Sequence, residues 1–579
     1  HNMYERRAKI INQQFSKYFL PTILMTMALS MSVVIDGIIV GNILGADALA
    51  AVSIVMPVTL IFNAIYALVG VGGATLYSVA LGRQDRQSAA GIFTVSVVMM
   101  ALISAILFVA SLVCVDWLSA ALTVNAPALT EPVREYMGTL FLGIPFLILT
   151  PGLVYFLRAE GKPKLSSAVL IVANVVNLCL DLIFILVFKM GIMGAALATA
   201  TGYAVGFIMA LCGVLRTKSL RMRKLEKGWG KTAGTICGTG LPSALSTLMN
   251  FLRLTVMSQI VMATMGADGA VAFSVCMSCL SLTAMFVGGA AQTMIPIFGT
   301  LYGEKDYAGM QFTVNRTLRT VIIAGVALLV IFELFPMQIS MLFGVTAAAQ
   351  LAIAEQAIRI YSISLPFMGL LFVAGCVYQV ADKRKLSSLV PVLENFVIVI
   401  PLALLLAAFA GGVGIWLAFP LAEVITLGII ALIAAAIRRK TKKGKGVLLL
   451  EEQPAEMLDV SIDMDVVQAV GLSAQAIEFC IAHGIDGVKA NKVGVAIEEM
   501  AMNTIQNTKG KKGGLIDVRV NITENVAVIA MRDNAPPLDP MLCVKGSVSG
   551  GIDLLVAIAQ EVKYSRLLGM NCTRIEIAV

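Results

Sequence analysis

The sequence predicts an all-α polytopic membrane protein, with twelve transmembrane helices in two six-helix lobes that are parallel repeats, followed by a C-terminal α/β sandwich domain. Three observations predict this architecture. Hydrophobic residues make up 58% of the 579 residues and charged residues only 13%, a balance that soluble globular proteins do not have. The apolar part of the chain repeats at one fixed spacing. From about Glu451 the composition becomes that of a soluble domain.

A helix needs about 20 apolar residues to cross the hydrocarbon core of a bilayer. Twelve apolar stretches of that length lie near 18–41, 52–79, 90–113, 134–157, 166–188, 191–215, 236–262, 269–300, 318–343, 355–380, 386–409 and 412–437. They divide the chain into an N-terminus (1–17), an N-terminal lobe (18–215), a basic linker (216–235), a C-terminal lobe (236–437), a second basic linker (438–454) and the C-terminal domain (455–579).

The two lobes repeat with a constant offset of 221 residues. The paired positions are Pro21 with Pro242, Gly45-Ala46-Asp47 with Gly266-Ala267-Asp268, Gly82 with Gly303, Pro145-Phe146 with Pro366-Phe367, and Lys164–Ser167 with Lys385–Ser388. Because each half has an even number of spans, the halves have the same orientation and are related by an axis along the membrane normal. Transporters of this symmetry bind substrate between the halves.

Lysine and arginine are concentrated in alternate loops. The clusters lie at 6–17, 83–86, 162–164, 216–231, 305–319, 383–385 and 438–445. This positive-inside pattern predicts a multi-pass protein of the cytoplasmic membrane, surrounded by the lipid bilayer, with both termini in the cytoplasm. The net charge of +8 is therefore explained by topology, and no nucleic-acid partner is expected.

Neither a metal site nor a catalytic constellation is expected in the membrane part. Cys276 and Cys279 form a C-x-x-C pair, but the pair lies in an apolar span with no second pair nearby. Since zinc sites need three or four ligands, packing is the simpler explanation for these cysteines.

Two acids lie inside apolar spans of the N-terminal lobe. Asp36 is in the first span, where a charged side chain costs on the order of 2.5–3.5 kcal/mol. Asp181 is in the fifth span, four residues after Asn177, so Asn177 and Asp181 share one face of a helix. An acid at that depth asks for a functional reason.

The motifs around these acids resemble those of MATE transporters, the multidrug and toxin extrusion family. They are D-G-x-x-V-G-x-x-L-G-A-D-A-L-A-A from Asp36 to Ala51, N-x-x-x-D from Asn177 to Asp181, and G-G-A-A-Q-x-x-x-P-x-x-G-x-x-x-G-E-K-D from Gly288 to Asp306. The likeness covers roughly residues 10–440. It implies that Asp36, Asn177, Asp181 and Thr199 form an H⁺ or Na⁺ site, and that no cofactor is needed for transport.

The C-terminal lobe does not repeat the acids. Met257 and Leu402 stand at the positions equivalent to Asp36 and Asp181. We therefore expect coupling through the N-terminal lobe only. This lobe carries Arg253, Glu394 and Glu423 inside its spans instead. They are expected to form a buried charge pair, Arg253 with one of the glutamates, that either fixes the helices or contacts substrate.

The C-terminal domain reads as helices at about 465–482, 488–507 and 552–560, and strands at Leu515–Ile522, Val526–Arg532 and Thr573–Val579. The first two strands alternate and are joined by a short turn, so they predict an antiparallel hairpin. Helices packed on one face of such a sheet make an α/β sandwich.

Three motifs stand out in this domain: E-x-x-x-N from Glu499 to Asn503, D-N-A-P-P from Asp533, and the pair Gly550-Gly551. They resemble those of the ATP-binding domain of anti-sigma-factor serine kinases, relatives of histidine-kinase and gyrase ATPase domains. The resemblance implies an ATP and Mg²⁺ site formed by the residues Glu499, Asn503, Asp533, Gly550 and Gly551. Ala535 and Asp553 depart from the family's glycines, and an acid at the second position repels a triphosphate. ATP hydrolysis or kinase activity, nucleotide binding without turnover, and binding of a cytoplasmic protein partner all remain open.

Three functions compete. The first is a cation-coupled antiporter that exports small organic compounds, for which a cationic character is favoured, with a regulatory cytoplasmic domain. The second is a lipid-linked glycan flippase of the same superfamily, in which an Arg- and Lys-rich cavity would be expected. The third is a membrane-tethered serine kinase or anti-sigma factor, whose function would be abolished by deletion of residues 446–579.

Overall fold

The structure is a computed structural model of the whole chain. It describes residues 5–124, 127–225, 227–343, 345, 347–442, 444–451, 457–508, 514–523, 525–540 and 550–579. Within these ranges, the side chains of 29–38, 41, 42, 46, 49, 282 and 550–552 lie outside the description.

The N-terminal half of the membrane part is helical throughout. Its helices are α1 (Lys9–Ile39), α2 (Ala46–Tyr66), α3 (Gly72–Gly82), α4 (Arg86–Leu122), α5 (Thr130–Phe141), α6 (Ile144–Ala159), α7 (Pro163–Leu182) and α8 (Gly191–Leu215). We refer to residues 9–215 as the N-lobe.

The second half has the same plan. Its helices are α9 (Trp229–Thr283), α10 (Gly289–Gly303), α11 (Tyr307–Leu334), α12 (Pro336–Leu342), α13 (Ala348–Ser362), α14 (Leu365–Val380), α15 (Arg384–Val392) and α16 (Val399–Thr441). We refer to residues 229–441 as the C-lobe.

Helix starts repeat at the offset that the sequence predicts. The helices α4, α6 and α7 begin 221 residues before α11, α14 and α15. The backbone repeats as well, because Gly45 and Gly266 both have positive φ, 90° and 67°. L-residues rarely adopt this conformation, so glycine permits a sharp change of direction at both places. In the C-lobe this glycine kinks α9.

The number of membrane crossings is not confirmed by helix length alone. Among the described residues, seven helices are long and apolar enough to cross a membrane, or nine if each of two bent pairs is one span. Two of the seven are runs of 75 and 58 residues, Trp229–Gly303 and Arg384–Thr441. Each run is long enough for two crossings, since one crossing takes about 20 residues.

The two lobes touch at one end of the membrane part, where α3 and α10 end. A Cβ on Gly82 would lie 2.0 Å from the Thr300 carbonyl oxygen, and one on Gly303 would lie 2.1 Å from the Val79 carbonyl oxygen. Apolar residues of both helices belong to one buried core. We call this end the domain side, because the C-terminal domain lies against it.

The C-terminal domain contains a five-stranded antiparallel sheet in the order β1-β2-β3-β5-β4. The strands are β1 (Met457–Asp463), β2 (Leu515–Thr523), β3 (Val526–Asp533), β4 (Glu561–Leu567) and β5 (Met570–Ala578), and the helices are α17 (Val466–Ala482), α18 (Gly487–Thr508) and α19 (Gly550–Ile558). The predicted β2–β3 hairpin is confirmed. The third predicted strand is present as β5, but β1 and β4, which complete the sheet, were not predicted.

The two faces of this sheet differ. Residues such as Val460, Val518 and Ile529 form an apolar core with α17 and α18. Because side chains alternate along a strand, their neighbours point to the opposite face. That face lies against the domain side of the membrane part, and we call it the docking face. It carries Asp459, Ser461, Asp517, Arg519, Arg532, Cys572 and Arg574.

Candidate functional site

Asn177 and Asp181 lie one turn apart on α7, and both are buried in an apolar helix. Their relative exposures are 3% and 1%. The helix begins with Pro163, whose fixed φ suits a first helical position. Because the rest of the helix is apolar, it packs inside the N-lobe and places the two polar side chains in the interior. A carboxyl group buried there needs polar partners or a proton.

The neighbouring helices α1 and α8 pack against this face of α7. Asn174 Nδ2 donates to the Ala28 carbonyl oxygen of α1 at 3.0 Å. On α8, a Cβ on Gly202 would lie 3.0 Å from the Asn177 Cβ. Thr199 is three residues before Gly202 and therefore on the same face of α8. It is half-buried, and its hydroxyl donates to the Ala195 carbonyl oxygen at 3.1 Å.

Asp36 lies in the last turns of α1, the helix that packs on α7. Its side chain lies outside the described residues, so the structure gives no distance from its carboxyl group. The structure thus brings together the helices of all four predicted residues. Three of the four side chains, those of Asn177, Asp181 and Thr199, are described, and they lie on the packed helices α7 and α8.

The three charged residues predicted for the C-lobe come from different elements. Arg253 lies on α9, Glu394 in a π-helical turn before α16, and Glu423 on α16. Arg253 and Glu423 are each 5% exposed, whereas Glu394 is half-buried. Glu423 Oε2 has no hydrogen-bond partner among the described residues, so the predicted pairing of these charges stays a prediction. Arg253 also donates to Asn250 Oδ1 at 2.9 Å. At the repeat position of Asp36, Met257 belongs to the apolar core of the C-lobe.

A family model described as MatE matches residues 21–183 and 242–405, which together make up more than half of the chain. The two matched segments begin 221 residues apart, at the offset of the repeat. The chain belongs to the MatE family. This MatE protein also has curated relatives and neighbours among solved structures.

Over 403 residues, the chain is 22% identical to multidrug export protein MepA of Staphylococcus saprophyticus, covering 69% of this chain and 88% of the relative. It is 23% identical over 390 residues to MepA of Staphylococcus aureus strain MRSA252, covering 66% and 84%.

Two solved structures share the fold. The crystal structure of MATE in complex with MaL6 has a TM-score of 0.70 at 20% identity. The outward-facing conformation of a multidrug resistance MATE family transporter of the MOP superfamily has a TM-score of 0.69 at 20% identity. Each comparison covers 74% of this chain and 96% of the other chain.

In the C-terminal domain of this MatE protein, Glu499 and Asn503 share one face of α18. Asn503 is 8% exposed, and its Oδ1 accepts from Asn507 Nδ2 at 2.9 Å. Its Nδ2 has no hydrogen-bond partner among the described residues. A buried amide with an unsatisfied group fits a bound ligand. Gly550 and Gly551 begin α19, but their surroundings lie outside the described residues.

Asp533 is engaged by the domain itself. Its Oδ1 accepts from the Ala535 backbone N–H at 2.9 Å and from Asn571 Nδ2 at 2.8 Å. Burial raises the pKa of this carboxyl group. The residues therefore fit a Mg²⁺–nucleotide only in part, because Asp533 would exchange these bonds to bind a base. Its place in the predicted nucleotide site stays a prediction.

Seven charged groups meet where the docking face touches the membrane part. We call them the junction cluster: Arg6, Glu304, Asp306, Asp459, Asp517, Arg519 and Arg532. Asp306 Oδ2 lies 3.0 Å from Arg6 Nη2 and 3.0 Å from Arg532 Nη1. Arg519 Nη2 lies 3.0 Å from Glu304 Oε2. All seven side chains are less than a tenth exposed, so water screens them little.

The junction cluster predicts a pH dependence of stability. Burial, together with Asp306 and Asp517, raises the pKa of Asp459 to about 6, although Arg6 and Arg519 oppose this. Because the folded pKa is raised, this group stabilises the protein at low pH and loses that effect as pH rises through 6. We expect wild type to gain about 1 kcal/mol between pH 7.5 and pH 5.5.

Thermal unfolding of wild type and of Asp459→Asn at the two pH values measures this gain. The variant mimics the protonated carboxyl group, so its stability should lack this contribution. An equal pH response in both proteins would contradict the assignment.

One contact between the lobes has no local signal in the sequence. Arg158 is 3% exposed at the end of α6, and its Nη2 donates to the Gln292 carbonyl oxygen of α10. It follows the predicted fourth span by one residue, where cations ordinarily extend to water. Tertiary contacts enclose it, since Tyr18 of α1 and Gln292 of α10 both lie beside it.

Proposed function

We propose that this MatE protein is a cation-coupled antiporter that exports organic compounds, in the main cationic ones, by alternating access. H⁺ or Na⁺ is the coupling ion. The observation that carries the proposal is the buried pair Asn177 and Asp181 in the N-lobe, on the helix against which α1, with Asp36, is packed. The names of the MepA relatives support export of drug-like compounds.

The chemistry of the two acids Asp36 and Asp181 suits ion exchange. Two carboxyl groups in a low-dielectric cavity disfavour carrying two negative charges together. They can take up a proton from an acidic outside and release it to the cytoplasm. With the amide of Asn177 and the hydroxyl of Thr199, the same oxygens could surround Na⁺. Coupling then requires that the two states of the site favour different arrangements of the lobes.

The driving force is sufficient for substantial accumulation. One elementary charge that crosses about 150 mV supplies roughly 3.4 kcal/mol. At roughly 1.4 kcal/mol per factor of ten, this corresponds to a substrate gradient of about 300-fold. One coupling ion per substrate is therefore enough for an uncharged compound. A monovalent cation exchanged one for one moves no net charge, so its export is driven by the concentration gradient of the coupling ion alone.

An assay of gradient-driven uptake in proteoliposomes tests the proposal. Purified protein is reconstituted, and uptake of a fluorescent organic cation is followed under a pH gradient alone and a Na⁺ gradient alone. We expect one gradient to drive accumulation and the other to have little effect. If neither gradient drives it, while an anionic lipid-linked saccharide crosses the bilayer, the flippase function replaces the antiporter.

We further propose twelve spans with both termini in the cytoplasm. The repeat, the two double-length helical runs and the alternation of basic loops support this topology. The C-terminal domain is proposed as a regulatory domain related to the anti-sigma-kinase ATPases. Glu499 and Asn503 would hold a metal-bound nucleotide. This nucleotide would act as a regulatory ligand and not as the energy source for transport.

A further inference from the structure

The docking face contacts both lobes, not one. On the C-lobe it meets Glu304 and Asp306, in the loop between α10 and α11, through the junction cluster. On the N-lobe, two side chains donate to backbone carbonyl groups of the domain and form no ion pair with it among the described residues. Gln84 Nε2 donates to the Cys572 carbonyl oxygen at 3.5 Å, and Lys17 Nζ donates to the Leu568 carbonyl oxygen at 3.5 Å. The domain therefore bridges the line between the lobes.

Arg6 ties three parts of the molecule together with one guanidinium group. It directly precedes the N-lobe helix α1. Its Nη2 lies 3.0 Å from Asp306 of the C-lobe loop, and its Nη1 lies 3.2 Å from Asp517 of the sheet. Because it is 6% exposed, separating any of these parts would leave buried charges without partners until water reached them.

The two loops beneath the sheet are related by the repeat. Gln84 and Lys305 share the same left-handed φ of 55°, and Asp85 and Asp306 cap α4 and α11 by accepting backbone N–H bonds at 3.0 and 2.8 Å. Only Asp306 belongs to the junction cluster, whereas Asp85 is exposed. A cavity of about 950 Å³ lies between the two loops and the docking face.

Under the proposed function, the lobes must part on the domain side in every cycle. In this structure they are in close contact there. A Cβ on Gly299 of α10 would lie 2.1 Å from the Ser78 hydroxyl of α3, and Ser78 is fully buried. The C-terminal domain is thus docked across this contact between the two lobes, which we call the seam and which has to open in every cycle.

We propose that the C-terminal domain is an intramolecular brake, which holds the two lobes together on the domain side until the docking face is released. The inference rests on the proposed function for its role in transport, but the docking is a property of the fold. When the docking face is released, the charged groups of the sheet separate from Glu304 and Asp306 of the C-lobe loop. A ligand that moves the turn after β3 could bring this about, since Asn534 in that turn lies 3.3 Å from Gln13 of α1.

The test measures opening of the seam without reference to export. Ser78→Cys is labelled with a maleimide, which reaches the thiol only when the lobes part. Asp306→Asn removes the charge but keeps the cap, because asparagine caps helices as well as aspartate does. Asp85→Asn is the matched control. We expect Asp306→Asn to speed labelling at least about tenfold, because it weakens the charge-assisted pairs with both Arg6 and Arg532. Asp85→Asn should leave the labelling rate unchanged.

A second arm locks the domain in place. Arg83→Cys and Arg574→Cys line the same cavity from the N-lobe and the sheet. Joining them with a short reducible cross-linker should stop labelling of Ser78→Cys, and reduction should restore it. Equal labelling of Asp306→Asn and wild type, or undiminished labelling of the cross-linked protein, overturns the brake. Failure of the proposed function would instead leave both labelling results as expected while ion gradients drive no export.

Discussion

Asp181→Asn is expected to abolish ion-driven export. Asparagine has nearly the same shape as aspartate, but it neither exchanges a proton nor offers a charge to Na⁺. Because a concentration gradient of about 100-fold in the coupling ion supplies about 2.8 kcal/mol to a one-for-one exchange, the substrate gradient at steady state should fall by up to about 100-fold. The measurement is the accumulation of a fluorescent organic cation in proteoliposomes under the gradient that drives the wild type.

The matched control is Asp116→Asn. Asp116 lies on α4 of the same lobe, but its side chain is 70% exposed and pairs with Arg134 at 2.5 Å. This variant should transport like the wild type, since an exposed ion pair contributes little. Substrate exchange without an ion gradient should survive in Asp181→Asn, which separates loss of coupling from loss of folding. Full ion-driven accumulation by Asp181→Asn would remove the N-lobe site from the mechanism.

Arg253→Met is expected to destabilise the protein by about 3–5 kcal/mol. Methionine fills much of the space of the arginine stem. If Arg253 compensates the buried Glu423 and the half-buried Glu394 as predicted, it also leaves these acids without their cation, which is the costly way to break such an arrangement. The double variant Arg253→Met/Glu423→Gln should recover part of the loss, because it also removes one of the buried acids. Unfolding in detergent, monitored by tryptophan fluorescence, gives the differences in the free energy of unfolding.

Arg359→Met provides the comparison within the same lobe. Arg359 is 47% exposed and pairs with Glu355 at 3.0 Å on one helix. Its loss should cost about 1 kcal/mol or less. Should Arg253→Met be no less stable than Arg359→Met, then Arg253, Glu394 and Glu423 do not compensate one another, and a contact with substrate becomes the better account of them.

The strands of the C-terminal domain show where local pattern suffices. The hairpin β2–β3 is predictable because apolar residues alternate on both sides of a short turn, and the register confirms it. Strand β1 has the same alternation at Leu458, Val460 and Ile462, so the signal was present but short. Strand β4 is weaker in pattern, and its pairing with β5 is what makes it a strand.

Residue spacing within one helix predicted which site residues lie close together. For residues on different helices, their separation in the sequence did not predict this. Asn177 and Asp181 are four residues apart, so helix geometry alone puts them on one face. Arg253 and Glu423 are both predictable as charges in apolar spans, but their proximity depends on how α9 and α16 pack. A local sequence pattern does not predict how α9 and α16 cross, because these helices are far apart in the sequence.

The sequence by itself determined that this is a repeated, helical membrane protein with a soluble domain, because hydropathy and the 221-residue offset are properties of short windows and their recurrence. Only the tertiary structure decided that Arg6 meets Asp306, 300 residues away, beneath the sheet. Read locally, these charges are solvated ends of helices and strands. They become a buried cluster because alternation gives the sheet a second face, and that face is covered by the loops of both lobes rather than by water.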